Sequence, residues 1–125
     1  PMGKGLLTGA FSAARVAGLS ASDHRTKDPR FLSPQLEINL TFVEALGKIA
    51  TGLGWTIPEL SIAWVLRRPE MTSAIVGSRK PAQVAQTIAA GDRVLDAASI
   101  DAIEAALQQR DKSLQEAGTI IKPRV

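Results

Sequence analysis

The chain has 125 residues, 45% hydrophobic and 22% charged, with a net charge of +3, which suits one domain with a core and contains no apolar run long enough to cross a bilayer. It has no cysteine and no tyrosine, and His24 is its single histidine, so disulfides, thiolate chemistry, cysteine-based metal sites and a tyrosine general acid are all excluded. The slight basic excess admits anionic ligands without choosing between a nucleotide and a nucleic acid, and the cysteine-free composition fits a cytoplasmic protein.

Residues 1–10, PMGKGLLTGA, place Gly3, Gly5 and Gly9 around a leucine pair. They predict a loop whose backbone approaches something closely, although glycines that only shape a turn fit as well. The spacing matches neither a P-loop nor a Rossmann fingerprint. Residues 12–36 are polar and irregular, with breakers at Asp28-Pro29 and Ser33-Pro34, and a loop this long in a compact domain is usually functional or mobile. His24, between Asp23 and Arg25, reads as a solvated loop histidine. No second histidine exists to complete a transition-metal site.

From Asn39 the pattern becomes helical. Phe42, Leu46, Ile49 and Leu53 recur on one face, and Gly52 and Gly54 end the run. Thr56-Ile57-Pro58-Glu59 restarts a helix, with threonine as cap, glutamate three residues on and proline in the first turn. The following IPELSIAWVLRR is apolar on nearly every side and predicts a largely buried helix that stops at Pro69. Trp55 and Trp64 are expected in its packing rather than as base-stacking platforms.

Ser73–Val76, bounded by Pro69 and Gly77, predicts a buried strand. Pro81 opens another helix, with Val84, Ile88 and Ala89 expected inward and Gly91 closing it. Asp96 caps a last helix carrying Ile100, Ile103 and Leu107 inward. Residues 108–125 are expected to be a charged tail. Strand followed by helix is the unit of parallel α/β folds, yet one strand makes no sheet, so the pattern predicts part of a larger architecture.

Val76-Gly77-Ser78-Arg79-Lys80-Pro81 is the most chemically suggestive stretch. A helix N-terminus offers free N–H groups and a positive dipole end to a phosphate. Ser78 adds a hydroxyl, and Arg79 and Lys80 add cations. Gln83, one turn in, points back toward the same end and can reach a base or ribose. A solvated basic turn fits the same pattern.

Several segments together carry a family resemblance. PMGKGLLTG resembles the proline-leucine-glycine-x-glycine-leucine-leucine-threonine-glycine motif of the aldo-keto reductases, with Met2 in the leucine place. Asp23-His24-Arg25 with Asp28-Pro29-Arg30-Phe31 is similar to that family's loop ending in Pro-Arg-Phe. Asn39 leading into Val43-Glu44 and Leu46 resembles its next helix, and Thr56–Leu66 its x-P-x-x-L-A-L-A-W-V-L helix. Residues 76–84 resemble its final strand-to-helix turn. The matches come in family order over residues 1 to about 107.

The resemblance implies the C-terminal part of a (β/α)8 barrel, mostly helical in this chain with one or two short strands, and a cofactor, NADP(H). It implies that Met2, Gly3 and Gly5 line the pyrophosphate, with Leu6 beside it, and that Gly77, on the second loop, also binds the cofactor. It also implies that Ser78 and Arg79 hold the adenosine 2′-phosphate, and that Gln83 and Gln86 lie near the adenine ribose and base. Gln86-Thr87 replaces the family's common Glu-Asn: threonine is shorter, and the carboxylate is lost. The family's catalytic Asp, Tyr, Lys and His lie upstream, and nothing in residues 1–125 matches them. A whole barrel takes about 250 residues. The expected function is therefore the cofactor grip of a carbonyl reductase, with residues 11–36 on the substrate side and the catalytic residues elsewhere. The alternative is a truncated, non-catalytic helical module that self-associates or pairs with another chain through exposed apolar faces. A helix-turn-helix DNA binder has thin support, because no helix presents a basic face. Neither nucleic acid nor a membrane is expected as a partner.

Overall fold

The computed structural model describes residues 1–119. Among the described residues five α-helices follow one another: α1 (Ala13–Ala17), α2 (Gln35–Gly52), α3 (Ile57–Leu66), α4 (Pro81–Ala89) and α5 (Ala97–Glu116). Short 3₁₀ turns at Gly3–Thr8, His24–Lys27, Pro29–Phe31 and Ala90–Asp92 fill the spaces between them.

The core sits where α2, α3 and α5 meet. Leu46 and Ala50 of α2 pack with Leu60 and Ala63 of α3, Leu95, and Ile103 of α5. Phe42, Ile49 and Leu53 flank this cluster, as do Trp55 and Trp64. Both tryptophans are therefore packing residues. Each also lies under a guanidinium: Arg67 is 3.3 Å from the Trp64 ring centre and Arg93 is 5.3 Å from that of Trp55.

α2 begins four residues before Asn39, because Leu36 is buried and extends the apolar face by one turn. It ends where Gly54 adopts φ +69° and the Trp55 N–H donates to the Ala50 carbonyl at 2.8 Å. The chain then bends by 89° into α3. Thr56 and Glu59 make the expected capping box at that bend. α3 buries Glu59, Leu60, Ser61, Ile62 and Ala63 in succession, which matches its all-round apolar sequence.

A second cluster holds the first thirty residues. Leu6, Phe31 and Val43 are buried together, with Phe11, Val16 and Ile57 against them. The polar segment 12–36 is thus more ordered than its composition suggests. Its 3₁₀ turns repeat one device, an aspartate followed two residues later by an arginine. Asp23 accepts the Arg25 N–H and also binds its guanidinium, and Asp28 does the same for Arg30. Asn39, 1% exposed, joins this segment to α5: its Nδ2 donates to the Arg30 carbonyl at 3.0 Å, and Arg110 Nε donates to its Oδ1 at 2.8 Å.

Three expectations are corrected. Ser73–Val76 forms no strand, and Ile75 is 91% exposed. A strand needs a ladder partner, and no second strand exists among the described residues. Val84 and Ile88 of α4 point outward rather than inward, at 44% and 70% exposure, and Ala89 is exposed too. With no sheet beneath it, α4 anchors mainly through Ala90, which is fully buried beside α3. Last, residues 108–116 continue α5 instead of leaving it, and Leu114 is buried there. The sequence-based tail retains only residues 117–119 as non-helical, and residues 120–125 lie outside the described part.

Leu60, 1% exposed at the centre of the main cluster, gives a test of this core. Leu60→Ala is expected to cost about 2–5 kcal/mol of unfolding free energy, read from urea titrations followed by tryptophan fluorescence. A loss below about 1 kcal/mol would place the core elsewhere.

Candidate functional site

The two loops singled out by sequence meet. The segments around Gly5 and Gly77 form opposite walls of one open cleft of about 360 Å³, with the start of α3 as its floor. Met2, Gly5 and Thr8 come from the first loop, and Thr56, Ile57 and Pro58 from α3 and its cap. Val76, Gly77 and Ser78 come from the second loop, and Gln83, Gln86 and Thr87 from α4.

The first loop is held by its own backbone. The Met2 carbonyl accepts the Gly5 and Leu7 N–H groups at 2.9 and 3.2 Å, and Thr8 Oγ1 donates to the Gly5 carbonyl at 2.7 Å. Gly5 has φ +92°, and a Cβ there would come within 3.2 Å of the Phe11 ring. Gly9 has φ +72°, a backbone conformation that favours glycine, and lies close to the Ile57 side chain at the start of α3. Lys4, at φ +58°, reaches Asp28 at 2.8 Å and ties the loop to the next segment.

Asp28 is the electrostatic centre of that tie, at 8% exposure. The Arg30 side chain holds its carboxyl well below the usual carboxylate range; Lys4 and the Arg30 N–H add to this, and burial opposes it. Asp23 is lowered in the same way by Arg25.

The second loop is arranged differently from its sequence reading. Gln83 does point back toward the helix start, but its Oε1 accepts the Arg79 and Lys80 N–H groups at 2.8 and 3.2 Å. Two of the backbone donors at this turn are thereby engaged. The turn also carries the Ser78 hydroxyl and the exposed side chains of Arg79 and Lys80. Thr87 Oγ1 is 3.0 Å from both the Gln83 and the Val84 carbonyl, so its hydrogen is used within α4.

Among the residues expected at the site, Met2, Gly5, Gly77, Ser78, Gln83, Gln86 and Thr87 line the cleft. Gly3 shapes the first turn at φ +54° without lining it. Leu6 is buried in the second core cluster, and Arg79 is an exposed residue at the head of α4 rather than a wall residue. Sequence reasoning missed Thr8, Thr56, Ile57, Pro58 and Val76 as lining residues. Thr56 was visible as a helix cap, but nothing local shows that the cap faces Gln86, whose Nε2 donates to Thr56 Oγ1 at 3.2 Å.

Comparison with known proteins decides the family. The family model described as "Aldo/keto reductase family" matches residues 1–108. The chain belongs to the aldo/keto reductase family. It is 34% identical over 82 residues to the aldo-keto reductase YhdN of Bacillus subtilis, covering 65% of this chain and 24% of that protein. It is 30% identical over 91 residues to a putative voltage-gated potassium channel subunit beta of Schizosaccharomyces pombe, covering 72% and 26%. The S. pombe aldo-keto reductase yakc [NADP(+)] is 34% identical over 80 residues, covering 64% and 23%.

A glycerol dehydrogenase from Gluconobacter oxydans superposes with a TM-score of 0.77 at 25% identity, over 99% of this chain and 35% of that one. The fold is therefore that of the C-terminal part of an aldo-keto reductase (β/α)8 barrel. The chain spans about a quarter to a third of the lengths of these relatives.

The Asp28 tie carries a pH dependence. A carboxylate whose folded pKa is depressed contributes stability that is present above its unfolded pKa of about 4 and is lost as pH falls below it. Asp28→Asn keeps the turn-capping acceptor and removes the charge. The stability gap between the wild type and this variant is expected to be largest near neutrality and to shrink steadily from about pH 4 downward, in denaturant titrations at stepped pH. A gap independent of pH would mean that the charge contributes nothing.

Proposed function

We propose that this chain is the cofactor-binding C-terminal segment of an NADP(H)-dependent aldo-keto reductase acting on an aldehyde or ketone. One observation carries the reading: two loops far apart in sequence, each suited to phosphate by its residues, wall a single cleft. The NADP(+) in the name of one relative supports the choice of cofactor.

The donor set fits an adenosine phosphate. Ser78 and Arg79 would hold the 2′-phosphate, as a hydroxyl and a bidentate guanidinium. The close, glycine-lined backbone at Met2–Gly5 would lie along the pyrophosphate, and Gln86 would meet the adenine or its ribose. When bound, the cofactor supplies hydride chemistry at its nicotinamide. Proton donation to the carbonyl oxygen falls to residues outside this sequence, which has no tyrosine. The chain alone is accordingly proposed to be inactive. A cytoplasmic location rests on the cysteine-free composition alone.

A second reading has its own observation. Ile75, Ile88 and Val94 are 91%, 70% and 85% exposed around α4, an apolar surface that favours association with further barrel segments or another chain. Potassium channel beta subunits among the relatives are compatible with a partner-binding role. A concentration-dependent shift to dimers or larger species in size-exclusion chromatography is the outcome this reading expects. A monomer at all concentrations overturns it.

Arg79 tests the cofactor reading. Arg79→Ala is expected to weaken NADPH about tenfold or more while leaving NADH nearly unchanged, because only NADPH carries the 2′-phosphate. Fluorescence titration of both cofactors reads this directly. Equal losses for the two, or no binding of either by the wild type, would overturn the assignment.

A further inference from the structure

Gln86 is the end of a hydrogen-bond chain that starts in the interior. Arg93 donates through Nε and Nη2 to Glu59 Oε1 at 3.3 and 3.0 Å. The other oxygen, Oε2, accepts both the Thr56 N–H and the Thr56 hydroxyl at 2.8 Å. Thr56 Oγ1 accepts the Glu59 N–H at 3.4 Å and Gln86 Nε2 at 3.2 Å. Glu59 is 8% exposed, so this chain is rooted in the fold while its tip lies in the cleft.

The polarity of the chain is forced. Glu59 is a carboxylate held below its usual range, first by the Thr56 N–H, with the Thr56 hydroxyl and Arg93 adding to it and burial opposing. Ionised, it can only accept. It therefore takes the single hydroxyl hydrogen of Thr56, and Oγ1 is left with lone pairs alone. Whatever meets Oγ1 must donate. Gln86 can do so only through its NH₂, which fixes the sense of its carboxamide and leaves Oε1 as an acceptor. A glutamate at this position would have no hydrogen to offer and would add a second negative charge near Glu59.

We propose that Thr56 is a positioning residue for nucleotide recognition. Polarised by Glu59, it orients the Gln86 carboxamide so that Oε1 accepts a hydrogen bond from the exocyclic amine or a ribose hydroxyl of an adenosine phosphate. The proposal rests on the cofactor-binding reading of the cleft and adds how this chain matches glutamine to its cap.

A double-mutant cycle tests it, with adenosine 2′,5′-bisphosphate as probe and isothermal titration calorimetry on the full chain. Thr56→Val and Gln86→Leu are each expected to weaken the probe about fivefold. Thr56→Ser, which keeps the hydroxyl, retains wild-type affinity. The double variant Thr56→Val/Gln86→Leu is expected to bind no worse than Gln86→Leu alone. The helix cap is lost equally in both backgrounds, so a purely structural role of Thr56 would lower affinity again in the double variant and overturn the proposal.

Wild-type affinity in Thr56→Val would also overturn it, leaving the cofactor reading intact. A second readout needs no ligand: the Gln86 side-chain amide resonances should shift and exchange faster in Thr56→Val, and their indifference to the substitution overturns the lock. A wild type that binds neither the probe nor NADPH overturns the cofactor reading itself, and the recognition role with it.

Discussion

The interaction on which the rest of this structure depends is the capping box of Thr56 and Glu59. It sits at the 89° bend between α2 and α3, the point where the main core turns a corner. A carboxylate at 8% exposure is costly unless its oxygens are satisfied. Here one oxygen takes two donors from Thr56 and the other takes the Arg93 guanidinium. The same group therefore starts a helix, pins the turn after α4 through Arg93, and reaches the cleft through Gln86. Without it, α3 would lose its starting angle, and the floor of the cleft would lose its register with α4.

The second constraint is steric. The first loop turns onto α3 at Gly9, whose φ of +72° other residues rarely adopt. Having made that approach, the loop is kept there by charge: Lys4 and Arg30 share Asp28. Phe11 lies with Arg15 and Arg25 each about 5 Å from its ring centre, and the Phe11 and Phe31 rings pack edge to face with their centres 5.3 Å apart. A polar, irregular stretch is thus ordered by short-range ion pairs and two aromatic rings rather than by helix or sheet. This order is what puts Met2 and Gly5 on the cleft wall while Leu6 turns into the core.

The two halves of the cleft are not equally finished. The first loop is packed against buried Leu6 and Phe31. The second follows an unpaired segment and leads into a helix without a buried residue of its own. The fold similarity extends over about a third of the glycerol dehydrogenase chain. The Gln83 carboxamide meanwhile occupies the Arg79 and Lys80 N–H groups, as an uncompensated helix start requires.

Much was legible in the sequence because it is encoded locally. The capping box, the glycine stops, the buried character of α3 and the order of the family segments all depend on residues within a few positions of one another. The caps repeated at Asp23 and Asp28 were equally local and went unread, because an aspartate two residues before an arginine is common in solvated loops. Other features follow from contacts across the chain. Residues 108–116 are helical because Arg110 finds Asn39 and Leu114 finds cover, neither visible from charge content. Ser73–Val76 is not a strand because β-structure exists only in pairs. By itself the sequence determined the cores of α2 to α5, the Thr56, Pro81 and Asp96 helix starts and the family. Only the tertiary structure decided that Thr56 faces Gln86 and that two distant loops share one cleft, because proximity between separate elements is a property of packing and not of spacing.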